Sequence, residues 1–463
     1  MTLSSSPFLA DTTRRAIFWT LSAVFLTLAV VEHGGEYSPL ALIWLSLSIA
    51  SAIIGTYAPR LPLNLDLNFV LSAACVLFGA LTFQSFLQSS LPASTLVRAA
   101  SLAGFVALSA LLAFALSFFV KRGLGKILFP LFLMMQLFIG IFTIQSAHDF
   151  EQTSPKFRLQ VRHDVQIFNR EAARLLVAGQ NPYSVRMPNV MGQDMPFYPP
   201  NTTAKDGKLP FGYVYMPAGL FFILPGYLLG DFRFAHVFAL VGAAWFLGYA
   251  RPSKTAQLSA TLFLLFPPTS RVLILSWTEP IALFFLAATL FCAFRAPKWL
   301  FLSLGCLICA KQYTVFLLPL LPLLVPERAK WQPLMLRSLA VALVLTLPMA
   351  LWDVDGFFRS AVQMQFKQPF RVDSLSYLVT FLNLTGRQLS PILGFLALIG
   401  GLFYGGRAPK NASHWTAAGA VAYLGFFALN KQAFANYYFW VFGLLIAAVA
   451  VALPRDNSHE KAH

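Results

Sequence analysis

Apolar residues run along this chain in long blocks, without the alternation of half-buried strands or the one-sided stripe of soluble helices. Blocks cover about 16–31, 39–57, 67–88, 100–120 and 127–147, then resume after a polar insert and continue, punctuated by short turns, to about 453. A backbone in lipid must satisfy its polar groups within the segment, so each run of roughly 20 apolar residues predicts a spanning helix. The count comes to about fourteen, within 13–15, and the fold class is an all-α polytopic membrane protein. The pattern divides the chain into helices at 1–126 with no assigned role, a membrane domain at 127–453 and a short tail at 454–463.

Between 148 and 211 hydropathy collapses, and this loop is the one sizeable piece outside the membrane. Within it, Asp164 to Ala178 places Val165, Phe168, Ala172, Leu175 and Leu176 on one face, with Arg170, Glu171 and Arg174 off it. That pattern predicts an amphipathic helix resting on the membrane, ended by Gly179 and the Asn181-Pro182-Tyr183 turn. The stretch from Phe211 to Gly230, interrupted by Pro217 and Pro225, reads as re-entrant or interfacial.

Composition agrees. Hydrophobic residues make up 57% and charged residues only 11%, at a mean hydropathy of +0.67, which excludes a water-soluble globule. The net charge of +16 takes its meaning from position. Arg14/Arg15, Arg60, Lys121/Arg122/Lys126, Arg251/Lys254, Arg295/Lys298, Arg328/Lys330/Arg337 and Arg407/Lys410 fall on alternate turns, which makes those turns cytoplasmic. No small-residue cleavage signal follows the first run, so it reads as an anchor. The expected location is a bacterial plasma membrane, with loop 148–211 outside and the working face outward. Charge spread over membrane turns does not suit nucleic acid as a partner. Cys306 and Cys309 have redox-like spacing but an apolar setting, and with Cys75 and Cys292 read as buried small residues.

The same alternation gathers every misplaced charge on the outer side. Glu279 lies inside a predominantly apolar run, where it either caps the helix starting at Pro280 or serves a function. Lys311 sits between two apolar runs each too short to span, which buries its turn, suggests a cavity there and demands an anionic partner. Arg271, Arg371 and Lys431 are outer cations that either meet lipid headgroups or bind an anion. Asp164 stands where a helix cap belongs, so capping and chemistry both explain it. Asp149 and Glu151, near the end of a spanning helix, read equally as solvated loop charges. Lys156, Arg158, Arg162 and His163 precede Asp164 and form either a basic turn or a phosphate contact. His163 and Asp164, adjacent on a helix, should point apart. Tyr198, Tyr213, Tyr215, Tyr437 and Tyr438 suit an interfacial belt as well as a sugar-stacking surface. No paired CxxC, HExxH, phosphate loop or nucleophile elbow occurs, so no metal or cofactor is expected.

An ordered set of short motifs adds a resemblance over roughly residues 127–453: Asp164-Val165 through Gly179-Gln180-Asn181-Pro182-Tyr183, Tyr213-Val214-Tyr215-Met216-Pro217, Trp277-Thr278-Glu279, Lys311-Gln312, and Lys431-Gln432 with Asn436-Tyr437-Tyr438. In this order they resemble the C-type (GT-C), polyprenyl-phosphate-dependent glycosyltransferases, and within them glycosyltransferase family 87, which includes mannosyltransferases. The resemblance implies a GT-C-like fold whose outer loop carries a catalytic aspartate and helices along the membrane. Asp164 matches that aspartate best, with Asp149 as the rival. It implies a polyprenyl-phosphate-linked sugar donor, mannose most simply, and a lipid or glycan acceptor. Chemically, a carboxylate would take the acceptor proton with inversion at the anomeric carbon. Lys311, Arg371, Lys431, Arg271, Arg158 and Arg162 would stabilise the leaving phosphate. His163, Tyr215, Glu279, Gln312, Asn436 and Tyr437 would bind substrate. Two other readings stay open: a transporter or flippase of a lipid-linked saccharide, and a glycan ligase using a lipid diphosphate.

Overall fold

The computed structural model describes residues 7–57, 65–88, 125–153, 163–189 and 207–452. The structure is 77% helical, and no strand occurs among the described residues. In chain order the helices are α1 (Pro7–Glu32), α2 (Pro39–Tyr57), α3 (Leu67–Gln88), α4 (Gly125–Thr153), α5 (Asp164–Val177), α6 (Pro217–Leu228), α7 (Arg233–Ala250) and α8 (Lys254–Leu264). Then follow α9 (Thr269–Ile274), α10 (Glu279–Arg295), α11 (Leu300–Ile308), α12 (Leu321–Leu324), α13 (Arg328–Trp352), α14 (Val354–Phe357) and α15 (Met364–Lys367). The chain closes with α16 (Tyr377–Thr385), α17 (Ile392–Gly405), α18 (Ala412–Ala428) and α19 (Ala435–Ala450).

Among the described residues, five helices are long and apolar enough to cross a membrane: Asp11–Glu32, Pro39–Tyr57, Lys126–Thr153, Arg233–Ala250 and Arg328–Trp352. Shorter apolar helices lie between and after them. The predicted run at 100–120 lies outside the described residues. α6, at 12 residues, reaches about 18 Å at 1.5 Å per residue, well short of a hydrocarbon core of roughly 30 Å. Its proline-broken sequence accounts for the shortness.

The first helices are built into the rest of the molecule. Ser22 and Ser48 each donate to the other's backbone carbonyl, at 2.8 and 2.9 Å, and so close the α1–α2 pair with hydroxyls that find no water in lipid. α1 packs on α19 and α2 on α18. One buried cluster accordingly runs from Ala16 to Val451.

A second cluster lies under the outer loop and joins Phe168, Leu175, Tyr183, Tyr213, Leu220, Ile281 and Met349. This corrects one expectation. The apolar face of α5, with Phe168, Ala172 and Leu175 buried, packs on protein and not on lipid. The reason is that Tyr213, Leu220 and Ile281 present an apolar floor directly beneath it. Arg170 and Arg174 stay exposed. Gly179, at φ +71°, ends the helix, with Gln180 N–H donating to the Leu175 carbonyl and Gly179 N–H to that of Leu176.

Candidate functional site

The centre of the site is an ion pair made by two helix interruptions. α10 begins at Glu279, with Pro280 following where a missing N–H costs nothing. α11 ends at Ile308, and the chain resumes as a 3-10 helix over Gln312–Leu320, leaving Lys311 between them in extended backbone (φ −152°, ψ 153°). Glu279 is completely buried and Lys311 is 6% exposed. Lys311 Nζ donates to Glu279 Oε1, as do Tyr313 Oη at 3.2 Å and Asn436 Nδ2 at 2.9 Å. The other oxygen, Oε2, has no hydrogen-bond partner among the described residues. Three rings surround the ammonium: Tyr215 and Tyr437 at 5.7 Å and Tyr313 at 5.3 Å from Lys311 Nζ. Desolvating two charges is costly, and this cage of donors and π-faces offsets that cost. The anionic partner that Lys311 requires is thus a carboxylate of the same chain, and three tyrosines surround the pair.

Asp164 approaches the centre from the loop. It is the first residue of α5, and the capping position belongs to His163, which is extended (φ −120°, ψ 144°). Asp164 Oδ1 accepts from Val165 N–H at 2.7 Å. His163 Nδ1 lies 2.8 Å from the same oxygen, in a charge contact whose angle falls short of a hydrogen bond. The expectation that these neighbours point apart is therefore wrong: His163 precedes the helix, and extended backbone lets its ring fold back over the first turn. The charge of Asp164 reaches the phenols of both Tyr215 and Tyr437, and so does that of Glu279. Burial, with the charges of Asp164 and Glu279 adding to it, pushes the Tyr215 phenol well above its usual range, so that it remains a neutral donor.

Of the predicted residues, Glu279, Lys311, Asn436, Tyr215 and Tyr437 meet directly, and Asp164 is near enough for its charge to act on Tyr215 and Tyr437. Gln312 serves the walls, its Nε2 donating to the carbonyls of Val214 at 2.6 Å and Ala361 at 3.0 Å. The other outer cations are committed elsewhere. Arg371 pairs with Asp373 at 2.8 Å through Nε and stacks 4.9 Å from the Phe434 ring, though its charge still reaches Tyr437. Lys431 Nζ donates to the carbonyls of Phe366 at 2.8 Å and Gln368 at 2.5 Å, and burial lowers its pKa. Arg271 is exposed and donates to the Gly34 carbonyl at 3.2 Å. A positively charged group finds carbonyl oxygens in any turn it meets, and sequence spacing does not forecast which. Asp149 is half-buried on the last turns of α4. Arg158 and Arg162 lie outside the described residues, as does Tyr198.

Sequence reasoning missed Tyr313, two residues beyond Lys311. It also missed Asn169, which accepts from Tyr213 Oη at 2.7 Å and donates to the Ser276 carbonyl at 3.4 Å. A polar residue on the apolar face of α5 was the available signal. A separate charge cluster was missed as well. Arg233, fully buried, donates to Asp231 through Nε at 3.0 Å and Nη2 at 2.6 Å, and to Glu151 through Nη1 at 2.7 Å. Gln166 and Arg170 donate to Glu151 at 2.8 and 3.3 Å. Glu151 is therefore no solvated loop charge. It ties the end of α4 to α5 and to the start of α7.

Among the described residues, no group of three or more His, Cys, Asp or Glu side chains could hold a metal ion. No known family, curated protein or solved structure matches the chain. The architecture defines an α-helical membrane protein, and its chemistry is read from the site alone.

Proposed function

We propose that the chain transfers a sugar, mannose most simply, from a polyprenyl phosphate to a hydroxyl of a lipid or glycan acceptor, with inversion. The active face would be the outer face of a bacterial plasma membrane, and the fold a GT-C-like one of 13–15 spanning helices. The observation that carries this reading is the convergence of one loop carboxylate, Asp164, and one buried cation, Lys311, on the same two tyrosines, Tyr215 and Tyr437. Asp164 accepts the acceptor's proton as the new C–O bond forms and the bond to phosphate oxygen breaks. Lys311 lies where positive charge favours the departing phosphate, and the neutral Tyr215 hydroxyl supplies a hydrogen-bond donor. The phosphate leaves as an already delocalised anion. His163, held against Asp164 Oδ1, orients the carboxylate.

Purified protein in detergent, given a synthetic polyprenyl-phosphate mannose and an acceptor alcohol, tests this. Asp164→Asn is expected to slow transfer by about 10²–10⁴-fold while retaining donor binding. Asp149→Asn is expected to keep the rate. Full activity in Asp164→Asn refutes the assigned base. A flippase would draw on the same broken helix at Lys311, and translocation in vesicles with no new glycosidic bond favours that reading instead.

A further inference from the structure

Three of the buried side-chain oxygen atoms without a partner among the described residues fall within four consecutive residues: Ser276 Oγ, Thr278 Oγ1 and Glu279 Oε2. Buried polar atoms are ordinarily satisfied, so such a concentration needs an explanation. Ser276, Glu279 and His236 are completely buried and Thr278 is 3% exposed. The His236 ring hydrogen-bonds the backbone of Phe232 and Ser276 and so adds no idle group.

The backbone adds an independent sign. α9 closes with Ser276 N–H donating to the Leu273 carbonyl and Trp277 N–H to that of Val272, the double closure that ordinarily places glycine at the left-handed position. Here the position holds Ser276 at φ +61°, the one non-glycine residue with positive φ among those described. A Cβ is strained there and glycine is not. The hydroxyl is thus present at a cost to the fold, and no hydrogen bond among the described residues offsets it. Thr278 likewise stands at the start of α10 without making a capping bond.

We propose that the α9–α10 junction is a binding site for neutral hydroxyl groups, offered by Ser276, Thr278 and Glu279 Oε2. The donor inventory selects that class. Two hydroxyls both give and accept, and Oε2 only accepts, so an anion meets a carboxylate oxygen while a hydroxyl finds partners of both kinds. Lys311 already balances the charge of Glu279, which leaves no demand for a cation. The hydroxyls come either from the sugar of the donor, an assignment resting on the function proposed above, or from ordered water that supports Glu279 from its bare side.

Two measurements on the full chain in detergent distinguish these sources: thermal unfolding without ligand, and equilibrium binding of a short-chain polyprenyl-phosphate mannose. The isosteric Thr278→Val and the strain-relieving Ser276→Gly serve both. If the hydroxyls bind the sugar, the variants melt at or above the wild-type temperature and bind the probe about tenfold or more weakly. If they hold water, Thr278→Val melts lower with no ligand present, a result that supports the site even where the wild type fails to bind the probe and the transfer reading falls. Variants that melt higher and bind the probe as the wild type does overturn the proposal. So do variants that melt higher when the wild type does not bind the probe.

Discussion

Two buried charge clusters stand out among the described residues, and they are finished differently. At Arg233, both oxygens of Asp231 and both of Glu151 are occupied by guanidinium or amide donors from two helices, α5 and α7. At Glu279, three donors crowd Oε1 while Oε2 is bare and the neighbouring hydroxyls are idle. A saturated buried cluster has no capacity left for a ligand and serves as a joint. An unsaturated one keeps capacity in reserve. Saturation, more than burial or charge, separates the structural cluster from the candidate site.

The largest expected effect breaks the joint. Arg233→Leu leaves two buried carboxylates without their shared partner and is expected to cost at least about 3–5 kcal/mol, read as a fall in the thermal midpoint in detergent. A midpoint within a degree of the wild type would show that the cluster is not a joint. Next, Lys311→Met strands Glu279 in the same way, but adding Glu279→Gln removes the stranded charge and is expected to recover most of the stability. Transfer activity is expected to stay lost in the double variant. Activity returning along with stability would make the Glu279–Lys311 pair a joint too, and erase the contrast.

A smaller effect sharpens the comparison through pH. Burial pushes the Asp231 carboxyl up, but hydrogen bonds from Arg233 and its charge more than reverse that and hold it below the usual 3.8. A carboxyl depressed on folding contributes stability that is fully present above its unfolded pKa and is lost as pH falls through the folded value. The wild type is therefore expected to lose stability below about pH 4. In Arg233→Leu those hydrogen bonds and that charge are gone, leaving the charge of Arg170 against burial, so the variant should lose less over that range, in unfolding midpoints measured from pH 5 to 3. Parallel losses in both proteins would detach Asp231 from Arg233.

The sequence exposed what depends on neighbours along the chain. Gly179 after an amphipathic stretch, Lys311 between short apolar runs and Glu279 inside an apolar run are each readable from local cost: a left-handed cap, a broken helix, a charge in lipid. Partnership across the fold was not readable. Glu279 and Lys311 are 32 residues apart and Asn436 is 157 from Glu279, so nothing in their spacing selects one another over Arg271 or Lys431. The His163–Asp164 contact was misread because a helical backbone was assumed one residue too early. Ser276 was overlooked because its signal is a backbone angle, and a serine carries no sequence mark of positive φ.

The most direct measurement is a structure of the chain with a non-transferable polyprenyl-phosphate sugar bound. The account predicts the phosphate beside Lys311, and the anomeric carbon between Tyr215 and Tyr437 with its open face toward Asp164. Sugar density away from both tyrosines, or a phosphate held at Arg371 and Lys431 with Asp164 turned from the anomeric carbon, would contradict it.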